Sequence, residues 1–211
     1  MKKIFLIAAV LLFTFSSAQI EFENTRVGII AGPNYSGVKN AHNPSSKKWG
    51  FMAGGFVEIP WNFGYTQDQF YIQPEVMYVS AGENGKKDQK YEANYINVPV
   101  WFKAYFSEAE NEFFGMIGPR FGFLLSQKVE NPQIEGYLPE NFGKAAPFDF
   151  AIGAGLGFSY KRQLELSLRY EMGLSNAYPD LDKDFVGTGD ANALKNKKQQ
   201  IISLALSYTF E

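Results

Sequence analysis

Eight stretches of this chain alternate bulky apolar residues with small or polar ones over ten or more positions, and a period of two builds a strand with two unlike faces. The first, residues 25–35, opposes Val27, Ile29, Ala31, Pro33 and Tyr35 to Gly28, Ile30, Gly32 and Asn34. The second, 49–60, opposes Trp49, Phe51, Ala53, Gly55, Val57 and Ile59 to Gly50, Met52, Gly54, Phe56 and Glu58. In the third, 69–81, Phe70, Ile72, Pro74, Val76 and Tyr78 face away from Gln73, Glu75 and Met77. The fourth, 93–106, has Ile96, Val98, Val100, Phe102, Ala104 and Phe106 on one side. Tyr95, Asn97, Pro99, Trp101, Lys103 and Tyr105 lie on the other. The fifth, 113–125, sets Ile117, Pro119, Phe121, Phe123 and Leu125 against Gly118, Arg120, Gly122 and Leu124. The sixth, 148–160, is the most regular: Phe148, Phe150, Ile152, Ala154, Leu156, Phe158 and Tyr160 against Asp149, Ala151, Gly153, Gly155, Gly157 and Ser159. The seventh, 164–174, opposes Leu164, Leu166, Leu168, Tyr170, Met172 and Leu174 to Glu165, Ser167, Arg169, Glu171 and Gly173. The eighth, 200–210, opposes Ile202, Leu204, Leu206, Tyr208 and Phe210 to Ser203, Ala205, Ser207 and Thr209. A proline donates no ladder bond, so Pro74 and Pro99 are expected to need a local adjustment such as a bulge.

No Lys, Arg, Asp or Glu falls on the bulky face in these segment cores. A charge near the middle of a lipid-facing strand costs about 2 to 4 kcal/mol, so a membrane would impose this absence and a half-solvated sheet would not. Ten residues at about 3.3 Å each, tilted about 40°, rise roughly 25 Å, the height of an outer-membrane apolar band. The fold class expected is therefore all-β: an eight-stranded antiparallel up-and-down transmembrane β-barrel. A soluble lipocalin-type barrel would reverse the faces, turning bulky residues inward around a ligand and charges outward.

The connections support this. Those after the second, fourth and sixth segments (61–68, 107–112 and 161–163) are short, and those after the first, third, fifth and seventh (36–48, 82–92, 126–147 and 175–199) are long. Short turns at the periplasm and long loops outside would place both chain ends on the periplasmic side. Aromatic belts are expected from Tyr35, Trp49, Tyr78 and Tyr95 at the outer end. At the inner end they are expected from Trp61, Tyr105, Tyr160, Tyr208 and Phe210.

The first residues change the picture of where the chain goes. Met1-Lys2-Lys3, an apolar stretch from Ile4 to Phe15 and the small residues Ser16-Ser17-Ala18 are the three parts of a secretory signal peptide. Residues 1–18 are read as the signal peptide, and 19–211 as one outer-membrane β-barrel domain. As a membrane anchor the apolar stretch is too short to cross about 30 Å of hydrocarbon as a helix. Removing it takes Lys2 and Lys3 and no acid, so 18 basic residues face 22 acidic ones and the mature net charge is −4. A weakly acidic chain with no basic block is a poor nucleic-acid binder. There is no cysteine, which excludes a disulfide scaffold, and no later apolar run approaches 18 residues, which excludes membrane helices.

The inward ionisable residues are Glu58, Glu75, Lys103, Arg120, Asp149, Glu165, Arg169 and Glu171. Unpaired buried charge is costly, so pairings such as Glu75 with Lys103, or Arg120 with Asp149 and Arg169, are expected to form a polar plug. Eight strands leave width only for their own side chains, which argues against a general porin. Glu165 and Glu171 resemble an acid/base pair, but six residues of strand, about 20 Å, separate them. His42, the single histidine, sits in a polar loop beside Asn43-Pro44-Ser45-Ser46 with no nucleophile pattern around it. Gly153, Gly155 and Gly157 lack the following GK[ST] of a phosphate loop and fit close packing inside a strand better. Asp180, Asp182, Asp184 and Asp190 lack the glycine and closing glutamate of a calcium loop. No catalytic, cofactor-binding or metal-binding residue is assigned, and no cofactor is expected.

Several ordered pieces resemble the PorT-like outer-membrane beta-barrel domain family of Bacteroidota over about residues 26–210. They are Gly28 through Gly32 with Asn34-Tyr35-Ser36, Gln73-Pro74-Glu75 with Tyr78, and Tyr95-Ile96-Asn97-Val98-Pro99 leading to Lys103. Further pieces are Gly118-Pro119, the Gly153, Gly155, Gly157 strand, Arg169-Tyr170 before Gly173-Leu174, and Tyr208-Thr209-Phe210. The resemblance implies an integral outer-membrane protein without established catalytic residues. Some members are tied to type IX secretion and gliding as accessory components. Small OmpA- and OmpX-like barrels are similar in shape, and no peptidoglycan-binding domain is expected after the eighth segment. The partners expected are outer-membrane lipid and envelope or secretion proteins met through the long loops, especially 127–147 and 176–199. The alternative is a narrow transporter or ligand-binding barrel for a small solute.

Overall fold

A strand with one lipid-facing side still carries backbone donors and acceptors on both edges, and in hydrocarbon each needs a partner. In the computed structural model, which describes residues 24–40, 46–61, 69–84, 90–130, 144–179 and 195–210, closure meets that need. The strands are β1 (Arg26–Lys39), β2 (Ser46–Pro60), β3 (Phe70–Asn84) and β4 (Lys90–Tyr105). They continue as β5 (Glu112–Glu130), β6 (Phe148–Tyr160), β7 (Leu164–Gly173) and β8 (Lys198–Phe210). Each pairs antiparallel with the next, and β1 pairs with β8 to close the barrel. Among the described residues no helix is long and apolar enough to cross a membrane, so crossing falls to the strands.

The faces follow the alternation. Leu156 and Leu168, cross-strand partners on β6 and β7, are 66% and 58% exposed, whereas Arg169 is 2% exposed. The lipocalin arrangement, which needs the reverse, is overturned. The same parity corrects two belt assignments. Tyr95 and Tyr105 are buried in the lumen, because their parity is that of Asn97 and Lys103. Tyr35, Trp49 and Tyr78 at one end, and Tyr160, Tyr208 and Phe210 at the other, do point outward.

Several strands run past the expected ends on the long-loop side. β1 continues to Lys39 and β2 begins at Ser46, while β3 and β4 extend to Asn84 and from Lys90. β5 is the longest strand, with 19 residues, and β7 the shortest, with 10. These extensions are more polar than the membrane segment and lack its clean contrast of faces, so alternation alone did not reveal them.

The prolines are accommodated without bulges. At Pro33 the ladder to β8 lapses between Ala31 and Asn34 and resumes in the same register, while Pro33 stays paired with Phe51 of β2. Pro74 behaves alike: the ladder to β2 skips from Phe56↔Glu75 to Ile59↔Ile72, and Pro74↔Val100 holds. Pro99 loses the ladder to β3 and keeps Arg120 of β5, and Pro119 loses the ladder to β4 and keeps Ile152 of β6. A residue without an N–H gives up bonding on one edge only. The register shifts lie elsewhere, between Lys47 and Met52 on β2 and at Asn94/Tyr95 on β4. Gly118, just before Pro119, tolerates the lapse because the carbonyl of Val100 leans in. An added Cβ would stand 2.0 Å from that oxygen.

Candidate functional site

The lumen is filled rather than open, by three charged layers and two apolar ones. Nearest the short-turn end, Lys103 of β4 donates to Glu58 of β2 at 2.5 Å and to both carboxylate oxygens of Glu165 of β7 at 2.7 and 2.6 Å. The Tyr105 hydroxyl donates to Glu165 at 2.6 Å, and Arg26 donates to Glu58 at 2.7 Å. The Lys103 ammonium also stands 4.4 Å from the Phe114 ring centroid and 4.8 Å from that of Tyr105. Tyr71, Trp101, Tyr105, Phe114 and Met116 form the apolar packing around this layer.

The middle layer is one ion pair across the barrel. Arg169 of β7 donates to both oxygens of Glu75 of β3, at 3.0 and 2.8 Å. Gln73 donates to the same carboxylate at 2.7 Å, and Arg169 Nε donates to Ser167 at 3.0 Å, with its guanidinium over Trp101. Above it, Arg120 donates to Asp149 at 2.6 Å, and its Nε lies 2.7 Å from Glu171 but off the hydrogen-bond direction. Asn97, Gln199 and Ser175 complete that layer, Ser175 donating to Asp149 at 2.6 Å.

All eight inward ionisable residues expected from the sequence are buried here. Arg120 pairs with Asp149 as expected, but Arg169 does not join that group and Glu75 does not pair with Lys103. The register sets Tyr71 opposite Lys103, and Glu75 stands four residues further along β3, about 13 Å away. Glu75 is met instead by Arg169 from the opposite wall, a contact that strand order cannot reveal. Glu165 and Glu171 belong to different layers, one held by Lys103 and the other beside Arg120.

The glycines of β6 serve packing. A Cβ on Gly153 would come within 2.5 Å of the Trp101 ring, and one on Gly157 within 2.3 Å of Phe114. Among the described residues no group of three or more His, Cys, Asp or Glu could hold a metal. His42, Asp180, Asp182, Asp184, Asp190 and the expected signal peptide lie outside the described residues.

Sequence reasoning missed the closure of the long-loop mouth. Ala145, Ala177 and Tyr178 are buried with Val38, Val79, Ala93 and Ile201. The Ala146 N–H donates to the Ala177 carbonyl at 2.8 Å, and the Ala177 N–H to the Lys197 carbonyl at 2.7 Å. Tyr178 meets Tyr91 edge to face. The segments 144–147 and 174–179 have no periodicity, and the nearest signal was small Ala145-Ala146 before Pro147. Outside, the lipid face dips at Gly115 and Ala154 into an apolar hollow of about 700 Å³ bordered by Phe102, Ile117, Leu156, Leu168 and Tyr170.

Solved structures give likenesses to this barrel. Ail, the attachment invasion locus protein of Yersinia pestis, is 15% identical over 88% of this chain and 99% of its own, with a TM-score of 0.44. The outer membrane enzyme PagL is 10% identical over 87% of this chain and 98% of its own, with a TM-score of 0.48. The outer membrane protein OprG from Pseudomonas aeruginosa is 10% identical over 88% and 96%, with a TM-score of 0.42. No curated protein matches the chain in sequence. The family model for the outer membrane protein beta-barrel domain matches residues 17–178, from before β1 to beyond β7. With its apolar side outward, its charges turned in and its eight strands closed, the chain is an integral outer-membrane protein that belongs to the outer membrane protein beta-barrel domain family.

Proposed function

We propose that this protein is a non-enzymatic, non-conducting barrel of the outer membrane that acts through contacts made by its long loops with other envelope or secretion proteins. It would be exported with loss of residues 1–18, with its short turns in the periplasm and within a PorT-like branch of the family. The observation that carries this reading is the Arg169–Glu75 pair. It joins β7 to β3, half-way round an eight-stranded barrel, with both side chains buried. The chord from Lys103 to Glu165 lies on one side of it and the Arg120 layer on the other. A solute would have to break these pairs, and each broken buried pair costs about 3 to 5 kcal/mol. The PorT-like branch is supported by Gln73 and Glu75 of the Gln73-Pro74-Glu75 piece, which serve together in the middle layer.

Planar bilayers holding the purified chain test the reading. Baseline current at moderate voltage is expected, together with recovery of specific envelope proteins after crosslinking in cells. Steady conductance, or saturable flux of a solute in liposomes, would overturn it in favour of a narrow transporter.

A further inference from the structure

The chain is acidic overall, with 20 basic residues against 22 acidic ones, yet two of its segments carry basic residues and no acid. Residues 25–57 contain no Asp or Glu, and neither do residues 191–210. β8, β1 and β2 are neighbours in the barrel, so the loop-side ends of the two acid-free segments lie side by side. Lys39 of β1 stands directly opposite Lys198 of β8. Two residues along the same face, the stem of Lys47 from β2 lies over Gly37, where an added Cβ would meet its Cγ at 2.8 Å. Its ammonium stands 5.5 Å from the Tyr35 ring centroid.

Like charges directly opposite in a ladder repel. In the lumen this barrel pairs its charges, and next door at the rim Lys48 meets Glu92. Among the described residues Lys39, Lys47 and Lys198 form no ion pair; Glu83, opposite Lys47 in the ladder to β3, is buried and accepts from the Val38 N–H. Just below them Tyr35 packs against Trp49 at 4.9 Å, and Trp49 is 70% exposed. An exposed aromatic pair at the edge of an apolar band marks headgroup level. Three ammonium groups with no ion pair among the described residues therefore sit where the phosphates of a membrane lipid lie.

We propose that the loop-side rim of β8, β1 and β2 binds the phosphate-bearing headgroup of an outer-leaflet lipid, with Lys39, Lys47 and Lys198 meeting the phosphates above Tyr35 and Trp49. A polyanionic headgroup turns the repulsion within the trio into shared attraction. The outer leaflet rests on the orientation proposed above; the anion chemistry does not.

Native mass spectrometry of the detergent-purified full chain, equilibrated with diphosphorylated lipid A, reads this without regard to orientation. K39Q/K47Q/K198Q is expected to retain lipid A at least about tenfold more weakly than the parent. K161Q at the short-turn end is expected to match the parent, and dephosphorylated lipid A to bind parent and triple variant alike. Unchanged retention by the triple variant would overturn the proposal, as would an equal loss of the dephosphorylated lipid. Displacement of lipid A by inorganic phosphate at comparable concentration would overturn the lipid as ligand. If the triple variant lacks the heat-modifiable gel shift of a folded barrel, K39Q/K198Q takes its place, because it relieves a like-charge contact.

Discussion

Arg169 shows how one side chain serves several constraints at once: it spans the lumen to Glu75, holds Ser167 and covers Trp101. Removing it would leave the Glu75 carboxylate buried without its cation in a site with no water-like solvation. Breaking one partner of such a pair costs about 3 to 5 kcal/mol, whereas exchanging both for neutral residues of similar volume is often tolerated. R169M should therefore destabilise the barrel by about 3 kcal/mol or more. E75Q/R169M should be markedly less destabilised than R169M alone, because Gln73 can still donate to the amide oxygen at position 75. Urea unfolding in lipid vesicles, followed by tryptophan fluorescence, reads the difference. Additive losses in the double variant would mean that the two residues act separately and that the cross-lumen contact is not a structural tie.

A strand carries its information in parity, and the β6–β7 hairpin displays it most plainly, with Leu156 paired to Leu168 outside and Gly155 paired to Arg169 inside. L156R, in mid-strand, should cost about 2 to 4 kcal/mol of unfolding free energy in vesicles, and Y160R, at the strand end beside the turn, about 0 to 1 kcal/mol. Equal costs at the two positions would mean that the hairpin does not cross hydrocarbon. Parity also explains what could be read from sequence and what could not. It placed Leu156 and Arg169 on their correct faces, and ignoring it misassigned Tyr95 and Tyr105 to the belts. Between adjacent strands Arg120 with Asp149 was legible, whereas Glu75 with Lys103 failed because the register sets Tyr71 opposite Lys103. Glu75 with Arg169 depends on closure across four strands. The caps formed by Ala145, Ala177 and Tyr178 depend on irregular backbone, which has no period to detect.

At the scale of the whole molecule the two ends differ in charge and in reach. The long-loop end carries the extended strands and Lys39, Lys47 and Lys198, which form no ion pair among the described residues. The short-turn end is tied down by Glu112, which accepts from the backbone N–H and hydroxyl of Ser107 and pairs with Arg162. Lys161 and Arg162, with φ of 54° and 52°, make the tight turn between β6 and β7. Outer-membrane barrels keep their turns short at the periplasm and their loops long outside, which is the ground for the proposed orientation. Because the chain has no cysteine, any thiol introduced is unique. S46C lies exposed at the start of β2 and A109C lies exposed in the turn after β4. On intact cells a membrane-impermeant maleimide should label S46C and spare A109C until the outer membrane is permeabilised. The reverse pattern would invert the barrel and move the lysine trio to the inner leaflet. It would leave the lipid-retention result in detergent untouched, so orientation and headgroup chemistry stand or fall on separate measurements.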